Sequence, residues 1–398
     1  MSFANPFRPG AGHRPPYLAG RDAEKEELQR LLKQDTILNN MVLTGLRGIG
    51  KTVLLEEFRP LAIEAGWRWV DQDLSESASV DEETIATRLI TDLAFVMNGI
   101  EIAKAPRLVG FGAQTQIYKP LDYDELISIY ESTPGLVSDK LRTVIETAWS
   151  VLRSLDPPIR GIVFAYDEAQ NLADHAEKNQ YPLSLLLDLF QSIQRKGVRC
   201  LLVLTGLPTL FPKLVDARTF AERMFHVVFL KRLDEKDSRD AIVRPIEDNK
   251  CPVKLDDRSV KRIIEIADGY PYFIQFICRE VYDQFLANFQ RTGKFGSVPE
   301  QEITRKLDAD FFAGRWNRVT DRQRDLLRVI ATLESHEDEF TIQEIVAASR
   351  ASGKGKQFSA SHVNQMLVAL SGAGLVYKNR HGKYSFAVPQ FGRFVLRH

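Results

Sequence analysis

At 398 residues the chain has room for two or three domains, and its 44% hydrophobic and 27% charged content is that of an ordinary globular protein. Its 53 basic and 53 acidic side chains cancel, which excludes polyelectrolyte character for the molecule as a whole, so any attraction to nucleic acid has to be local. Cys200, Cys251 and Cys278 are too far apart for a metal-ligand spacing and suit buried thiols in a reducing compartment. No apolar run approaches the ~18 residues of a membrane span, and the polar, Pro-rich N-terminus lacks a signal-peptide core; a soluble cytoplasmic protein with no membrane partner is expected.

Residues 1–19 carry Pro6, Pro9, Pro15 and Pro16 with Gly10 and Gly12, the composition of an extended arm with no core of its own. A helix is expected from Gly20-Arg21-Asp22 to about Lys33, with Asp22 as its N-cap and Leu28, Leu31 and Leu32 on one face. Met41–Leu43 then reads as a buried strand, and Gly45-x-x-x-x-Gly50-Lys51-Thr52 follows it with the spacing of a phosphate-binding P-loop. Val53, Leu54, Leu55, Phe58, Leu61 and Ala62 recur at helical spacing behind that loop. Strand, loop and helix together are the context the motif needs. Gly45, Gly48 and Gly50 allow successive N–H groups to point at an anion, with Leu46, Arg47, Ile49 and Val53 completing the cradle. The helix opening at Lys51 adds its positive end, Lys51 would reach the β- and γ-phosphates, and the Thr52 hydroxyl would ligate Mg²⁺.

Trp67–Val70 reads as a strand and Asp81–Met97 as a helix with Ile85, Leu89, Leu93 and Val96 inward. The pattern breaks over 100–138, where Leu108–Gly112 and Gln114–Tyr118 suggest a short inserted hairpin; helix resumes over Asp139–Leu155. Gly161-Ile-Val-Phe-Ala-Tyr-Asp167-Glu168 is a strand buried on both faces, as in a parallel sheet. It ends in two carboxylates, at the strand end where open α/β sheets bind ligands. Asp167 fits a Walker B acid holding Mg²⁺, and Glu168 is placed as the general base that polarises the attacking water. Leu183–Lys196 forms a further helix and Val198–Leu204 another buried strand, with Thr205 at its tip either reporting the γ-phosphate or capping. Val227–Leu230 is a last strand, preceded by Arg218 and Arg223.

From Asp237 to about Phe289 the pattern is helical, broken at Gly269-Tyr270-Pro271, and 291–299 reads as a linker. Thr320-x-x-Gln323 is a capping box. Two more helices, Thr341–Ser349 and Ser361–Leu370, precede a hairpin of Gly374–Lys378 and Tyr384–Ala387, which together make a winged helix-turn-helix. From residue 341 on, Arg350, Lys354, Lys356, Lys378, Arg380, Lys383, Arg393 and Arg397 face only Glu344, a surplus of seven positive charges. Such a surplus suits a DNA backbone; a winged helix also serves as a protein-contact module.

Gly20-Arg21-x-x-Glu24, the P-loop, the Asp167–Glu168 strand, the Thr205 tip, the helical segment and the terminal winged helix together resemble the AAA+/STAND group of P-loop ATPases. Within it they are nearest the branch shared by replication initiators and archaeal-type ATPases. The resemblance implies an α/β fold with a parallel five-stranded sheet, in which the P-loop strand neighbours the strand ending at Thr205. Its implied domains are an arm (1–19), an ATPase domain (20–233), a helical lid (234–298), a connecting segment (299–319) and a winged helix (320–398). ATP or ADP with Mg²⁺ is the implied ligand, with Tyr17, Leu18 and Pro271 beside the nucleotide. Arg223, with Arg218 behind it, stands where such ATPases carry an arginine that completes a neighbour's site in a homo-oligomer. Gly269-Tyr-Pro-Tyr-Phe273 stands in place of the lid arginine of initiators, and the first lid-helix arginine comes only at Arg279. That departure favours a switch over processive remodelling. Two function classes follow: a DNA-associated ATPase that self-assembles on ATP, or a signalling or defence ATPase that gates a separately encoded effector.

Overall fold

Gly161–Asp167 (β5) is buried along its whole length, which requires neighbours at both edges and cover on both faces. The computed structural model, which describes residues 4–10, 12–104, 117–351, 357–380 and 382–398, supplies both. Asn40–Thr44 (β1), Trp67–Asp73 (β2), β5, Cys200–Gly206 (β6) and Phe225–Phe229 (β7) form one parallel sheet in the order β2-β5-β6-β1-β7. The three central strands are buried throughout, whereas the edges β2 and β7 are partly exposed, the burial gradient of a covered α/β sheet. The expected neighbourhood of the P-loop strand is present: Met41 pairs with Val203 and Leu43 with Thr205. By contact density the chain divides into two units.

The sheet unit comprises Asp22–Thr44 and Leu54–Phe229. It contains Asp22–Leu32 (α1), most of Lys51–Glu64 (α2), Glu82–Met97 (α3), Tyr123–Ser132 (α4), Val137–Leu152 (α5), Pro182–Arg195 (α6), Leu210–Ala217 (α7) and Ala221–Met224 (α8). Ile85, Leu89, Leu93 and Val96 are buried as expected, and Asp81 caps α3 by accepting from the Thr84 amide. Several buried polar groups are paired: Asn40 accepts the Leu202 amide at 2.8 Å and the Gln194 side-chain amide at 2.8 Å. Tyr166, fully buried, donates to Asp92 at 2.8 Å, and Arg88 pairs with the same carboxylate.

Two expectations need correction here. Asp22 is the first residue of α1, not the residue before it. The hairpin in the 100–138 stretch runs Glu101–Lys104 (β3) against Ile117–Pro120 (β4), so its first arm precedes the expected one; Leu108–Gly112 and Gln114–Gln116 lie outside the described residues. The same stretch also holds α4, because Asp122 caps it and Leu126 and Tyr130, four apart, are both buried.

The second unit comprises Met1–Arg21, Gly45–Val53 and Leu230–His398. Glu235–Asp248 (α9), Asp257–Ala267 (α10) and Pro271–Thr292 (α11) form the helical segment, with Pro271 at the first turn of α11. The N-terminal arm lies along α11: Asn5 donates to the Arg279 carbonyl at 3.0 Å and to Asp283 at 2.8 Å, and Phe7 is buried. Glu300–Leu307 (α12), a π-helical turn at Asp308–Phe312 and Ala313–Trp316 (α13) lead to Asp321–Ala331 (α14), Ile342–Ala351 (α15) and Ala360–Gly372 (α16). The expected capping box opens α14, with Thr320 N–H donating to Gln323 at 2.9 Å and Gln323 N–H to Thr320 Oγ1 at 3.3 Å. Val376–Arg380 (β8) and Lys383–Phe386 (β9) pair antiparallel as the wing. A final helix, Phe391–Arg397 (α17), was not expected from the sequence; Phe391, Phe394 and Val395 anchor it against Phe312 and Trp316.

Gly161 has no room for a methyl group: a Cβ would lie 2.2 Å from the Trp67 ring and 2.7 Å from the Arg199 carbonyl oxygen. Trp67 cannot yield, because it is buried and its indole N–H donates to the Leu32 carbonyl at 3.1 Å. Gly161→Ala is expected to cost ~2 kcal/mol or more, read as a lower urea midpoint at unchanged slope.

Candidate functional site

The P-loop backbone has the conformation its glycines allow. Gly48 and Gly50 have φ of 75° and 95°, in the region that side chains disfavour. A Cβ at Gly45 would meet Ile49 at 3.0 Å and the Leu230 carbonyl oxygen at 3.2 Å, so the loop's first turn also needs glycine. The helix begins at Lys51, as expected, which leaves its first N–H groups directed at the loop. Lys51 is buried, and its ammonium donates to the Gly45 and Leu46 carbonyls at 2.9 and 3.1 Å. Thr52 and Val53 are half-buried on the first turn of α2, and Ile49 is buried.

Two residues that motif spacing did not single out hold the loop. Arg21 is buried and donates to the Ile49 carbonyl and to the Lys231 carbonyl, both at 3.0 Å. At the start of α11 the Tyr272 N–H donates to the Gly48 carbonyl at 3.2 Å, so Pro271 brings an uncommitted helix-terminal donor to the P-loop. The only sequence signal for either was their place in Gly20-Arg21 and Gly-Tyr-Pro-Tyr. Tyr17 is half-buried under the Arg244 guanidinium, 5.4 Å from its ring centre, and Leu18 is half-buried beside it in the chain. Arg47 is exposed. Arg315 lies 4.8 Å from the Phe311 ring centre, whose ring in turn packs 5.2 Å from Tyr272. Burial, then the Arg47 and Arg318 cations, push Arg315 below the usual arginine range, a field that favours an anion.

In the sheet unit, Asp167 ends β5 and is buried. Its Oδ1 accepts the Glu168 N–H at 2.7 Å and the Thr205 hydroxyl. Thr205, fully buried at the tip of β6, is thus neither a helix cap nor a solvent-facing tip; it fixes the carboxylate that precedes the candidate base. Glu168 is exposed and holds a left-handed φ of 51°. Gln170 donates through its side-chain amide to Glu168. Thr44, at the tip of β1, has a buried hydroxyl without a hydrogen-bond partner among the described residues. An orphan hydroxyl, a fixed carboxylate and an exposed one at the tips of β1 and β5, on either side of β6, fit a polar ligand with a divalent cation. Among the described residues no group of three or more His, Cys, Asp or Glu could hold a metal alone; Mg²⁺, which keeps waters and phosphate oxygens, does not need one.

Arg218 is committed elsewhere, donating to both oxygens of Asp188 at 2.9 and 2.8 Å. Arg223 is exposed on α8 and has no side-chain partner among the described residues.

The winged-helix surplus of charge is partly answered by ion pairs. Arg393 donates to Glu337 at 2.6 Å and lies 3.6 Å from Asp268, and Arg397 pairs with Asp308. Over 320–398 seven acids oppose eleven basic residues, because six of the acids lie before residue 341. Lys354, Lys356 and His381 lie outside the described residues. On α16, Ser361, Asn364, Gln365 and Val368 are exposed, while Val363, Met366, Leu367 and Leu370 are buried as expected. Arg350 and Lys378 are exposed.

No helix among the described residues is long and apolar enough to cross a membrane. Residues 309–395 match a family described as a domain of unknown function (DUF8462). No curated protein sequence matches the chain. Among solved structures, the Walker-type ATPase paby2304 of Pyrococcus abyssi is similar over 97% of both chains at 18% identity and a TM-score of 0.58. The ORC2 protein of Aeropyrum pernix, in ADPNP–ADP complexes, is similar over 98% of this chain and 95% of its own at 15% identity and a TM-score of 0.52.

The chain has the AAA+ P-loop ATPase fold.

The strand order of the AAA+ sheet places β6 between the P-loop strand and the acid-bearing strand, so the Thr205–Asp167 bond ties two adjacent tips of that sheet. Thr205→Val keeps shape and removes the donor; a buried carboxylate losing a bond is expected to cost ~1–3 kcal/mol in thermal or urea unfolding.

Proposed function

We propose that the protein is a cytoplasmic ATP-hydrolysing switch that assembles on nucleotide binding and engages DNA through its winged helix. The observation that carries the ATPase part is the pair of acids at the tip of β5 in a chain whose β1 runs directly into a glycine-built P-loop. The solved ORC2 structures of similar fold carry ADPNP and ADP, which supports a nucleotide as the ligand. The P-loop amides and the α2 terminus bind the triphosphate, and Lys51 exchanges a carbonyl for a phosphate oxygen. Thr52 and Asp167 would each offer an oxygen to Mg²⁺, which when bound would neutralise charge on the phosphate oxygens. Glu168 takes a proton from water as its oxygen bonds to the γ-phosphorus and the bond to the β-phosphate oxygen breaks, releasing ADP and phosphate. Thr205 keeps Asp167 in one orientation.

Arg223 is proposed to act on the site of a neighbouring copy, since it is exposed just before β7 while Arg218 is consumed by Asp188. A guanidinium supplied there stabilises charge on the transferring phosphoryl group. Glu168→Gln is expected to retain ATP binding and lose turnover, at least 100-fold. Arg223→Ala is expected to do the same alone. Mixing the two restores part of the activity only if Arg223 works across an interface; no recovery on mixing removes the oligomeric part of the proposal.

DNA engagement rests on α16, whose exposed Asn364 and Gln365 are the side-chain types that read adenine edges, flanked by exposed Arg350 and Lys378. Lys378→Glu with Lys383→Glu is expected to weaken duplex binding about tenfold at low salt and reduce the salt slope by about 2. Wild-type protein that fails to shift DNA at low salt favours the second reading, a switch gating a separate effector protein. That alternative draws on a specific observation: Gln390 of the winged helix donates to the Ile266 carbonyl at 2.9 Å, and Leu46 of the P-loop shares a cavity with Tyr270, Phe386 and Phe391. A winged helix in touch with the P-loop can report nucleotide state to a protein partner.

A further inference from the structure

Gln170 sits where both ends of its amide are used. Its Nε2 donates to Glu168 Oε2, and its Oε1 accepts the Leu207 N–H at 3.1 Å, just past the tip of β6. The position is built for it. Gly206 is a glycine without a positive φ, so conformational freedom does not explain it; a Cβ there would lie 2.5 Å from Gln170 Oε1 and 2.9 Å from Leu210. The small residue makes room for the amide. Behind it, Lys213 on α7 donates to the Gln170 carbonyl at 2.6 Å. Burial pushes that lysine below its usual range, with Asp174 opposing.

Two rungs therefore connect the tip of β5 to the tip of β6. Thr205 holds Asp167, and Leu207, through Gln170, holds Glu168. Glu168 has no other side-chain restraint among the described residues, is exposed, and starts from a left-handed backbone. Left alone, an exposed glutamate samples several rotamers, and a base that is misaimed by about 1 Å loses much of its effect.

We infer that Gln170 is a positioning residue that aims the Glu168 carboxylate from the β6 tip. The inference rests on Glu168 being the general base proposed above. It makes β6 the element that sets both acids: a shift of its tip moves Asp167 and Glu168 together.

Two substitutions separate aiming from support. Gln170→Glu can still accept the Leu207 N–H but can no longer donate to Glu168. Gln170→Leu loses both bonds. If Gln170 aims the base, both variants lose kcat by about tenfold while the KM for ATP stays within about twofold. Gln170→Glu also keeps a melting temperature close to that of the wild type. If Gln170 merely braces the β6 tip, Gln170→Glu turns over like wild type and only Gln170→Leu is impaired; that result overturns the inference. Unchanged kcat in both variants overturns it equally. Glu168→Gln, run alongside, distinguishes the layers. If it is inactive while Gln170→Glu is not, only the role of Gln170 fails. If it turns over like wild type, the assignment of the base fails and this inference with it.

Discussion

Burial of β1, β5 and β6 on both faces is the constraint from which the rest follows. A strand with no solvent face has to satisfy every backbone group from its neighbours, so the three central strands are locked in register over their whole length. Parallel register delivers all three C-terminal tips to one edge of the sheet. Thr44, Asp167 and Gly206 are there because the strands are apolar, not because those residues attract one another. Only after that placement do polar bonds matter, among them Thr205 to Asp167 and Gln170 between Leu207 and Glu168. Each is worth little against the burial of the strands. Their importance is directional.

The other unit solves a different problem. Its P-loop is held through backbone carbonyls: Ile49 by Arg21, Gly48 by the first turn of α11, Gly45 and Leu46 by Lys51. Every one of these tethers ends on a carbonyl, leaving the loop's N–H side for a ligand. The same unit carries the winged helix, whose arginines at 393 and 397 are drawn into ion pairs with Glu337, Asp268 and Asp308. Burial pushes the Asp268 carboxyl above its usual range while Arg232 and Arg393 oppose that shift. Charge that a sequence count assigns to a DNA surface is thus partly spent inside the fold. Exposed pairs of this kind contribute little to stability, and their effect is to fix where α17 lies.

Most of the sheet and the P-loop could be read from sequence because period and punctuation agreed: unbroken apolar runs for β5 and β6, glycines at fixed spacing, and helical spacing behind them. The capping box at Thr320 and the inward faces of α3 and α16 were legible for the same local reason. What escaped was settled by partners distant in the chain. Thr205 reads equally as a cap or a sensor until Asp167, 38 residues away, is seen beside it. Arg218 and Arg223 are alike in sequence and differ only in that Asp188 lies opposite the first. The hairpin of β3 and β4 was misplaced because its first arm is only four residues long, too short to show a period. α17 was missed because Gly392 sits inside a run whose helicity depends on Phe312 and Trp316.

Glu168 occupies a backbone conformation that glycine and asparagine adopt more readily. Relaxing it would gain on the order of 1 kcal/mol of folding stability. A laboratory search for heat-hardened versions of this chain, screened by survival alone, would therefore drift toward small residues at 168 and discard the carboxylate. With Glu168 in the role proposed for it, durability and turnover pull in opposite directions at that one position.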